Sequence, residues 1–314
     1  MKRLIILIFI TSLLIASGCS PYGNLSIMNF DELNYPYPVK KAELSNDITL
    51  AYVDEGQGNQ TIIFVHGLGS YLPAWKKNIE GLKQNYRCIA IDLPGYGKSS
   101  KAIHSGTMEF YADVIKQFMD KLGLKKAVIA GHSMGGQIAI VMALKYPEYI
   151  DKLVLVSPAG IETFNEGQKE WFRNVMTVAG VKNTSVQQIR ANLTANFYNL
   201  PDDAEFMVTD RIAMRDAKYF DNYCYTVVKS VSGMVDQPVY DFLPNIKQKT
   251  LILFGENDNL IPNPYLNPGF TSDIGKTAKE RIPNSTLVMV PSCGHFVQFE
   301  KADVFNNAVK DFLK

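Results

Sequence analysis

Ser133 stands in the run Gly131-His132-Ser133-Met134-Gly135-Gly136. An apolar stretch of strand length, 126–130, leads into it and a helix-forming stretch, 137–143, leads out. A serine on a sharp turn between strand and helix has its hydroxyl pushed into the open. The flanking glycines remove side chains that would collide in such a turn. The helix N-terminus behind it favours developing negative charge. The chemistry this arrangement serves is nucleophilic attack by the serine. A serine hydroxyl is a poor nucleophile at neutral pH. It needs an imidazole to take its proton, and the imidazole needs a carboxylate to fix its tautomer and stabilise its charge. A glycine-flanked serine also recurs as a plain turn, so the rest of the chain has to supply those partners.

Four histidines are available. His66 opens a glycine-containing turn, His66-Gly67-Leu68-Gly69, whose backbone N–H groups can point into a site. His104 lies in a polar stretch and reads as solvated. His132 neighbours the serine and is expected to point elsewhere. His295 is left as the base by elimination and by position, because it follows the last apolar strand-like run. The acid candidates are Asp258, which follows the run 250–254, and Glu162, which follows the preceding one. Cys293 sits two residues before His295 and reads as packing near the site. The turn from Asp92 to Ser99 is a poor phosphate loop, since no Walker lysine pattern is present and no helix starts directly after it.

These residues need a scaffold that gathers them. Continuous β-branched or apolar runs at 61–65, 87–91, 126–130, 153–157, 250–254 and 285–290 read as strands buried on both faces. Helical stretches are expected at 73–84, 108–122, 137–143 and 302–313. Strand and helix alternating in this way mean a parallel sheet with helices on both faces. The carboxyl ends of its strands share one edge. Ser133, Asp258 and His295 each follow a strand, so they can meet there. Two antiparallel strands at 39–44 and 48–54, turning at Asn46, precede this core.

From 161 to about 241 no convincing strand occurs. Helices are expected at 166–178, 186–195, 203–220 and 223–231. This block is rich in Met and aromatic residues, including Trp171, Phe172, Met176, Phe197, Tyr198, Phe206, Met207, Met214, Tyr219, Phe220 and Tyr225. It reads as a helical cap inserted into the α/β domain, with at least two-thirds of those side chains forming the cap's own core. Residues 263–275 read as a long loop rimming the site. The expected layout is a signal peptide at 1–18, a tether at 19–38, core at 39–160, cap at 161–245, and core again at 246–314.

With a formal net charge of +1, nothing suggests a nucleic-acid footprint. Lys2 and Arg3 precede an apolar run, 4–15, which is short for a membrane span and suits a secretory signal. Ala16-Ser17-Gly18-Cys19 closes it and resembles the lipobox of bacterial lipoproteins. That resemblance implies cleavage before Cys19 and a lipid anchor on its thiol. It implies an exported protein held at a membrane surface, with Ser20 favouring the outer membrane or its periplasmic face. Cys88, Cys224 and Cys293 remain without paired spacing, which argues against a disulfide framework.

Five pieces occur in order: His66-Gly67-Leu68-Gly69, Asp92 through Ser99, Gly131 through Gly136, Gly255-Glu256-Asn257-Asp258, and Gly294 through Glu300. Together they resemble the α/β-hydrolase fold family over nearly everything from Val39 onward. The resemblance implies an eight-stranded, mostly parallel sheet with an inserted helical cap. It implies Ser133 as nucleophile, Asp258 as acid, His295 as base, and the N–H groups of Leu68 and Met134 as an oxyanion hole. Asp-nucleophile members are excluded by Ser133. The leading expectation is hydrolysis of a carboxylic ester of a small or medium apolar substrate through an acyl-serine, as in carboxylesterases and lipases. The rivals are C–C bond hydrolysis, or perhydrolase or acyl-transferase chemistry on the same residues, and a ligand-binding lipoprotein without turnover. No cofactor, metal or nucleic-acid partner is expected. The partners are a small-molecule substrate and the membrane surface, with oligomeric state unassigned.

Overall fold

Strands β1 (Lys40–Glu43), β2 (Thr49–Glu55), β3 (Thr61–Val65), β4 (Arg87–Ile91), β5 (Ala127–His132), β6 (Ile150–Val156), β7 (Lys249–Gly255) and β8 (Ser285–Val290) form one sheet. Their order is β1-β2-β4-β3-β5-β6-β7-β8. The computed structural model describes residues 22–45 and 47–314. The expected signal peptide, Cys19, the start of the expected tether up to residue 21 and the expected turn residue Asn46 lie outside the described residues. The β1–β2 and β2–β4 pairs are antiparallel and all others parallel. The apolar runs explain this arrangement. In β3, Ile63 and Val65 face one hydrophobic cluster while Ile62 and Phe64 face another. A strand buried on both sides has no polar face to alternate with.

Helices α1 (Lys76–Leu82) and α11 (Ala302–Leu313) bring Ile79, Phe305 and Val309 to the second cluster. Helices α2 (Met108–Lys121) and α3 (Met134–Lys145) bring Phe118 and Ile138 to the first. The chain runs β3 to β4 on one side, then returns to place β5 on the other side of β3. That reversal opens a crevice at the carboxyl ends of β3 and β5. The His66 turn and the Ser133 turn leave the sheet at these two ends.

Close approach fixes the glycines of the Ser133 turn. A Cβ on Gly135 would stand 2.3 Å from the Val65 carbonyl oxygen and 2.7 Å from that of His66. Backbone cannot yield as a flexible side chain can. Gly135→Ala is therefore expected to destabilise the protein by about 3 kcal/mol, the upper part of the range for overpacking. Chemical denaturation of the variant checks this. A midpoint matching the wild type would refute the close packing of α3 on β3.

Between β6 and β7 the chain is helical, with α4 (Glu166–Val175), α5 (Val178–Lys182), α6 (Val186–Thr194), α7 (Glu205–Ala213) and α8 (Phe220–Asp236). The expected helix at 166–178 divides into α4 and α5, and the one at 203–220 breaks after Ala213. The expectation of a self-contained core here is corrected. Of the eleven Met and aromatic residues singled out, only Phe197, Met207, Met214 and Phe220 are buried. Met214 and Phe220 join the main cluster of the α/β domain, and Phe197 and Met207 pack with Phe296 and Phe299. These helices also pack on one another, α6 against α7 through Ile189, Val208 and Ile212, so the block is joined to the domain beneath as well as to itself.

The long loop expected at 263–275 is also corrected. Helix α9 (Thr271–Arg281) begins inside it, and the short helix α10 (Val297–Glu300) precedes α11. Residues 22–38 carry more packing than a tether needs, because Phe30 and Leu33 are buried in the main cluster.

Candidate active site

Ser133 sits at φ 54°, ψ −118°, in the left-handed region, directly before α3. A non-glycine residue there is strained by about 1–3 kcal/mol and persists only where its surroundings hold it. The surroundings are specific. Its N–H donates to the Val156 carbonyl (2.9 Å), and its own carbonyl accepts from the N–H groups of Gly136 (2.9 Å) and Ala159 (3.0 Å). The glycine turn after β3 abuts it, since a Cβ on Gly67 would be 3.1 Å from the Ser133 Cβ. Neither Leu68 nor Met134 gives its N–H to an acceptor among the described residues. Met134 directly follows the serine, and Leu68 directly follows the Gly67 that abuts it.

Asp258 and His295 leave β7 and β8 and meet. His295 Nδ1 lies 2.7 Å from Asp258 Oδ2. The other carboxylate oxygen, Oδ1, accepts the N–H groups of Leu260 (2.8 Å) and Ile261 (3.2 Å). Both side chains are buried. With Nδ1 held by the carboxylate, the proton sits there and Nε2 stays open as an acceptor. Glu162, the alternative acid, is elsewhere engaged. It accepts from Asn263 N–H and from the Asn267 amide, both at 2.8 Å.

The His295 loop is tied to the helical insertion. His295 N–H donates to the Asn196 carbonyl (2.8 Å). One Glu300 carboxylate accepts from Gly294, Tyr198 and Asn199 N–H groups at 2.8, 3.1 and 2.8 Å. The segment after α6 and the histidine loop therefore hold each other in place.

The remaining histidines differ from expectation in two cases. His132 does not point away. It is buried, its ring stands 4.7 Å from the His295 ring, and its Nε2 lies 3.0 Å from the His295 carbonyl oxygen. Burial first, and then the neighbouring His295, push its pKa well below the ordinary range. A neutral ring donating from Nε2 also accounts for a buried Nδ1 with no donor to meet. His104 is not solvated. It stacks on Phe110 at 4.4 Å and bonds the Pro94 carbonyl through Nε2 (3.0 Å). His66 serves the loops, because its Nε2 accepts from Leu93 N–H (3.0 Å) and its Nδ1 donates to the Gly67 carbonyl (2.8 Å). Asp92 pins the same loops by accepting from Leu72 N–H, Lys98 N–H and the Tyr35 hydroxyl at 2.7, 2.8 and 2.6 Å.

Arg211 on α7 was not legible as a site residue. Its guanidinium lies over the Tyr223 ring, 4.4 Å from the centroid. Nη2 stands 3.3 Å from where a Gly69 Cβ would be, which puts the cation against the glycine turn that carries Leu68. Nη1 is buried without a hydrogen-bond partner, and Arg211 makes no ion pair among the described residues. The adjacent Asp210 turns the other way, to the Tyr71 hydroxyl at 2.6 Å. Burial lowers the Arg211 pKa to about 10, so it stays charged at neutral pH. A buried, unpaired guanidinium is costly unless an anion meets it. No spacing rule in the sequence marks Arg211.

Cys88, Cys224 and Cys293 are free and buried. Among the described residues, no group of three or more His, Cys, Asp or Glu side chains could hold a metal ion. A surface groove of about 730 Å³ between α1 and α11 does not include Ser133, Asp258 or His295.

The family model described as alpha/beta hydrolase fold matches residues 60–302. A 2-hydroxy-6-oxononadienedioate/2-hydroxy-6-oxononatrienedioate hydrolase of Pseudomonas putida is 30% identical over 277 residues, which cover 85% of this chain and 92% of the relative. Among solved structures, a probable hydrolytic enzyme from Pseudomonas aeruginosa PAO1 superposes with a TM-score of 0.82 at 28% identity, covering 92% of this chain and 99% of that one. A thermophilic esterase from Thermogutta terrifontis gives 0.70 at 25% identity, covering 88% and 98%.

Proposed function

The chain belongs to the alpha/beta hydrolase fold family and is a hydrolase, and from that premise we propose that it cleaves a carboxylic ester through an acyl-Ser133 intermediate, on a substrate that also carries an acidic group. The observation that carries this reading is the strained Ser133 turn together with a His295–Asp258 pair 2.7 Å apart, the two joined by His132, whose Nε2 lies 3.0 Å from the His295 carbonyl oxygen. His295 Nε2 takes the hydroxyl proton as Ser133 Oγ attacks the carbonyl carbon. The resulting oxyanion receives the N–H groups of Leu68 and Met134, each such donor being worth about 3 kcal/mol in the transition state. Collapse expels the alcohol, which leaves with the proton held on His295. Water, deprotonated by the same nitrogen, then releases the acid. Asp258 keeps the imidazole in the required tautomer. Arg211 is assigned to the acidic group.

A second reading is hydrolysis of a C–C bond on the same residues. The specific observation favouring it is the relative whose name gives a 2-hydroxy-6-oxo dienedioate as substrate, a dicarboxylate. The bond broken would join the acyl carbon to a carbon that departs as a stabilised enolate and must be protonated. Cys19 is proposed as the lipid attachment point, holding the enzyme at a bacterial membrane, on the outer membrane or its periplasmic face.

The test combines labelling with a substrate panel. A fluorophosphonate should add once, at Ser133, as read by mass spectrometry. Esters with and without a free carboxylate are then compared with a 2-hydroxy-6-oxo dienoic acid. Turnover of the acid-bearing esters supports the first reading. Cleavage of the diketo acid alone moves the assignment to the second. A folded protein with neither adduct nor turnover would sink both, and ligand binding without chemistry would take their place.

A further inference from the structure

The first described residue is docked on the helical insertion. The Tyr22 hydroxyl donates to Glu205 Oε1 (2.5 Å) and also meets Arg190, while Tyr22 packs on the cluster of Ile189, Val208 and Ile212. Met28 N–H continues the contact at the Ala213 carbonyl (3.0 Å). The chain thus enters the domain along α6 and α7. Cys19 is three residues before Tyr22 and can be no further from it than about 11 Å, the reach of three extended residues.

An apolar rim adjoins the segment that follows α6. Tyr265 is 84% exposed and Phe270 74%, with Leu260, Trp171 and Val175 between 39% and 46%. These residues come from separate segments that touch. Gln168 on α4 donates to the Leu266 carbonyl (2.8 Å) and to the Asn267 side chain (3.0 Å). Asn259 reaches the Ala195 carbonyl just after α6 (3.4 Å). Asn259 and Leu260 directly follow Asp258, so the rim borders the candidate active site. Of the charges beside it, Lys169 is paired with Glu166 and Arg173 with Asp236, while Glu170 next to Trp171 is exposed with no ion pair among the described residues.

We propose that this rim, formed by Trp171, Val175, Leu260, Tyr265 and Phe270, rests in the interfacial layer of a lipid bilayer, with the Ser133 end of the sheet facing the membrane. The occupant follows from where the chain enters. An acylated Cys19 on so short a leash brings the α6–α7 end to the lipid surface, and a mixture of Trp, Tyr, Phe and aliphatic side chains suits the headgroup boundary. Stable membrane attachment commonly combines acyl chains with a second contact, which the rim supplies. The inference rests on the anchor reading of Cys19 and is independent of which bond the enzyme cleaves.

The experiment uses the full-length acylated chain in vesicles of phosphatidylethanolamine and phosphatidylglycerol, with or without bromine on the acyl chains. The chain has two tryptophans. Trp75 is completely buried and Trp171 is 41% exposed on the rim. Bromine should quench the Trp171 share of the emission, and Trp171→Phe should abolish the quenching. Flotation of the same vesicles reports the anchor separately, and turnover of a soluble ester reports the hydrolase reading. Flotation without quenching overturns the orientation and leaves the anchor standing. Failure to float overturns both. Quenching that survives in Trp171→Phe would come from Trp75 and would also overturn the proposal.

Discussion

Ser133→Ala is expected to lower kcat by about 10⁴- to 10⁶-fold, the range seen when a serine nucleophile held by a His–Asp pair is removed. The variant is a clean probe because alanine keeps the Cβ and therefore the strain at φ 54°. The turn is held by backbone bonds to Val156, Gly136 and Ala159, none of which involves the hydroxyl. Folding should be retained, as circular dichroism and thermal denaturation can check, and substrate should still bind. His295→Ala should cost a comparable factor. The double variant should be hardly worse than either single, because nucleophile and base act as one unit. Steady-state and single-turnover kinetics measure all three. A Ser133→Ala protein retaining more than about one part in a hundred of the activity would remove Ser133 from the mechanism.

What the sequence reveals and conceals here has a common physical basis. The parallel strands were readable because burial on both faces leaves an unbroken apolar run, and the meeting of Asp258 with His295 was readable because each follows such a run. Helix α9 was not readable. Its buried residues are Thr271, Gly275 and Ala278, small side chains that let it lie close to β8, where a Cβ on Gly275 would be 3.0 Å from the Met289 sulfur. A helix that packs through small residues has no apolar stripe to detect. The helical insertion misled in the opposite direction. Its Met and aromatic residues suggested an inner core, whereas Trp171, Tyr198 and Tyr219 are exposed and the buried ones pack downward onto the α/β domain. The residue before Ser133 and the cation on α7 were hidden for another reason. His132 and Arg211 acquire their environments only from long-range contacts with His295 and with Gly69 and Tyr223.

Arg211→Met is expected to move stability and activity in opposite directions. In the free enzyme the Arg211 side chain is half-buried beside the Leu68 turn, with Nη1 buried and unpartnered and the guanidinium over the Tyr223 ring. Losing that cation–π contact costs about 1 kcal/mol. Relieving an unpaired buried charge returns more, several kcal/mol before local relaxation, so the variant should gain about 1–3 kcal/mol. Thermal denaturation should show a midpoint a few degrees higher. Turnover reads the other side of the same charge. If Arg211 holds the substrate's acidic group, kcat/KM for an acid-bearing ester should fall by about 10²- to 10³-fold, the loss of a buried charge-assisted pair. A neutral ester should change by no more than about threefold, since no charged partner is orphaned. Arg211→Lys should recover part of the loss, because it restores the charge without the planar fork. A raised midpoint with equal losses on acidic and neutral esters would assign Arg211 to general shaping of the site. A lowered midpoint would mean that the guanidinium already has the partner it needs within the fold, and the acidic-substrate reading would go with it.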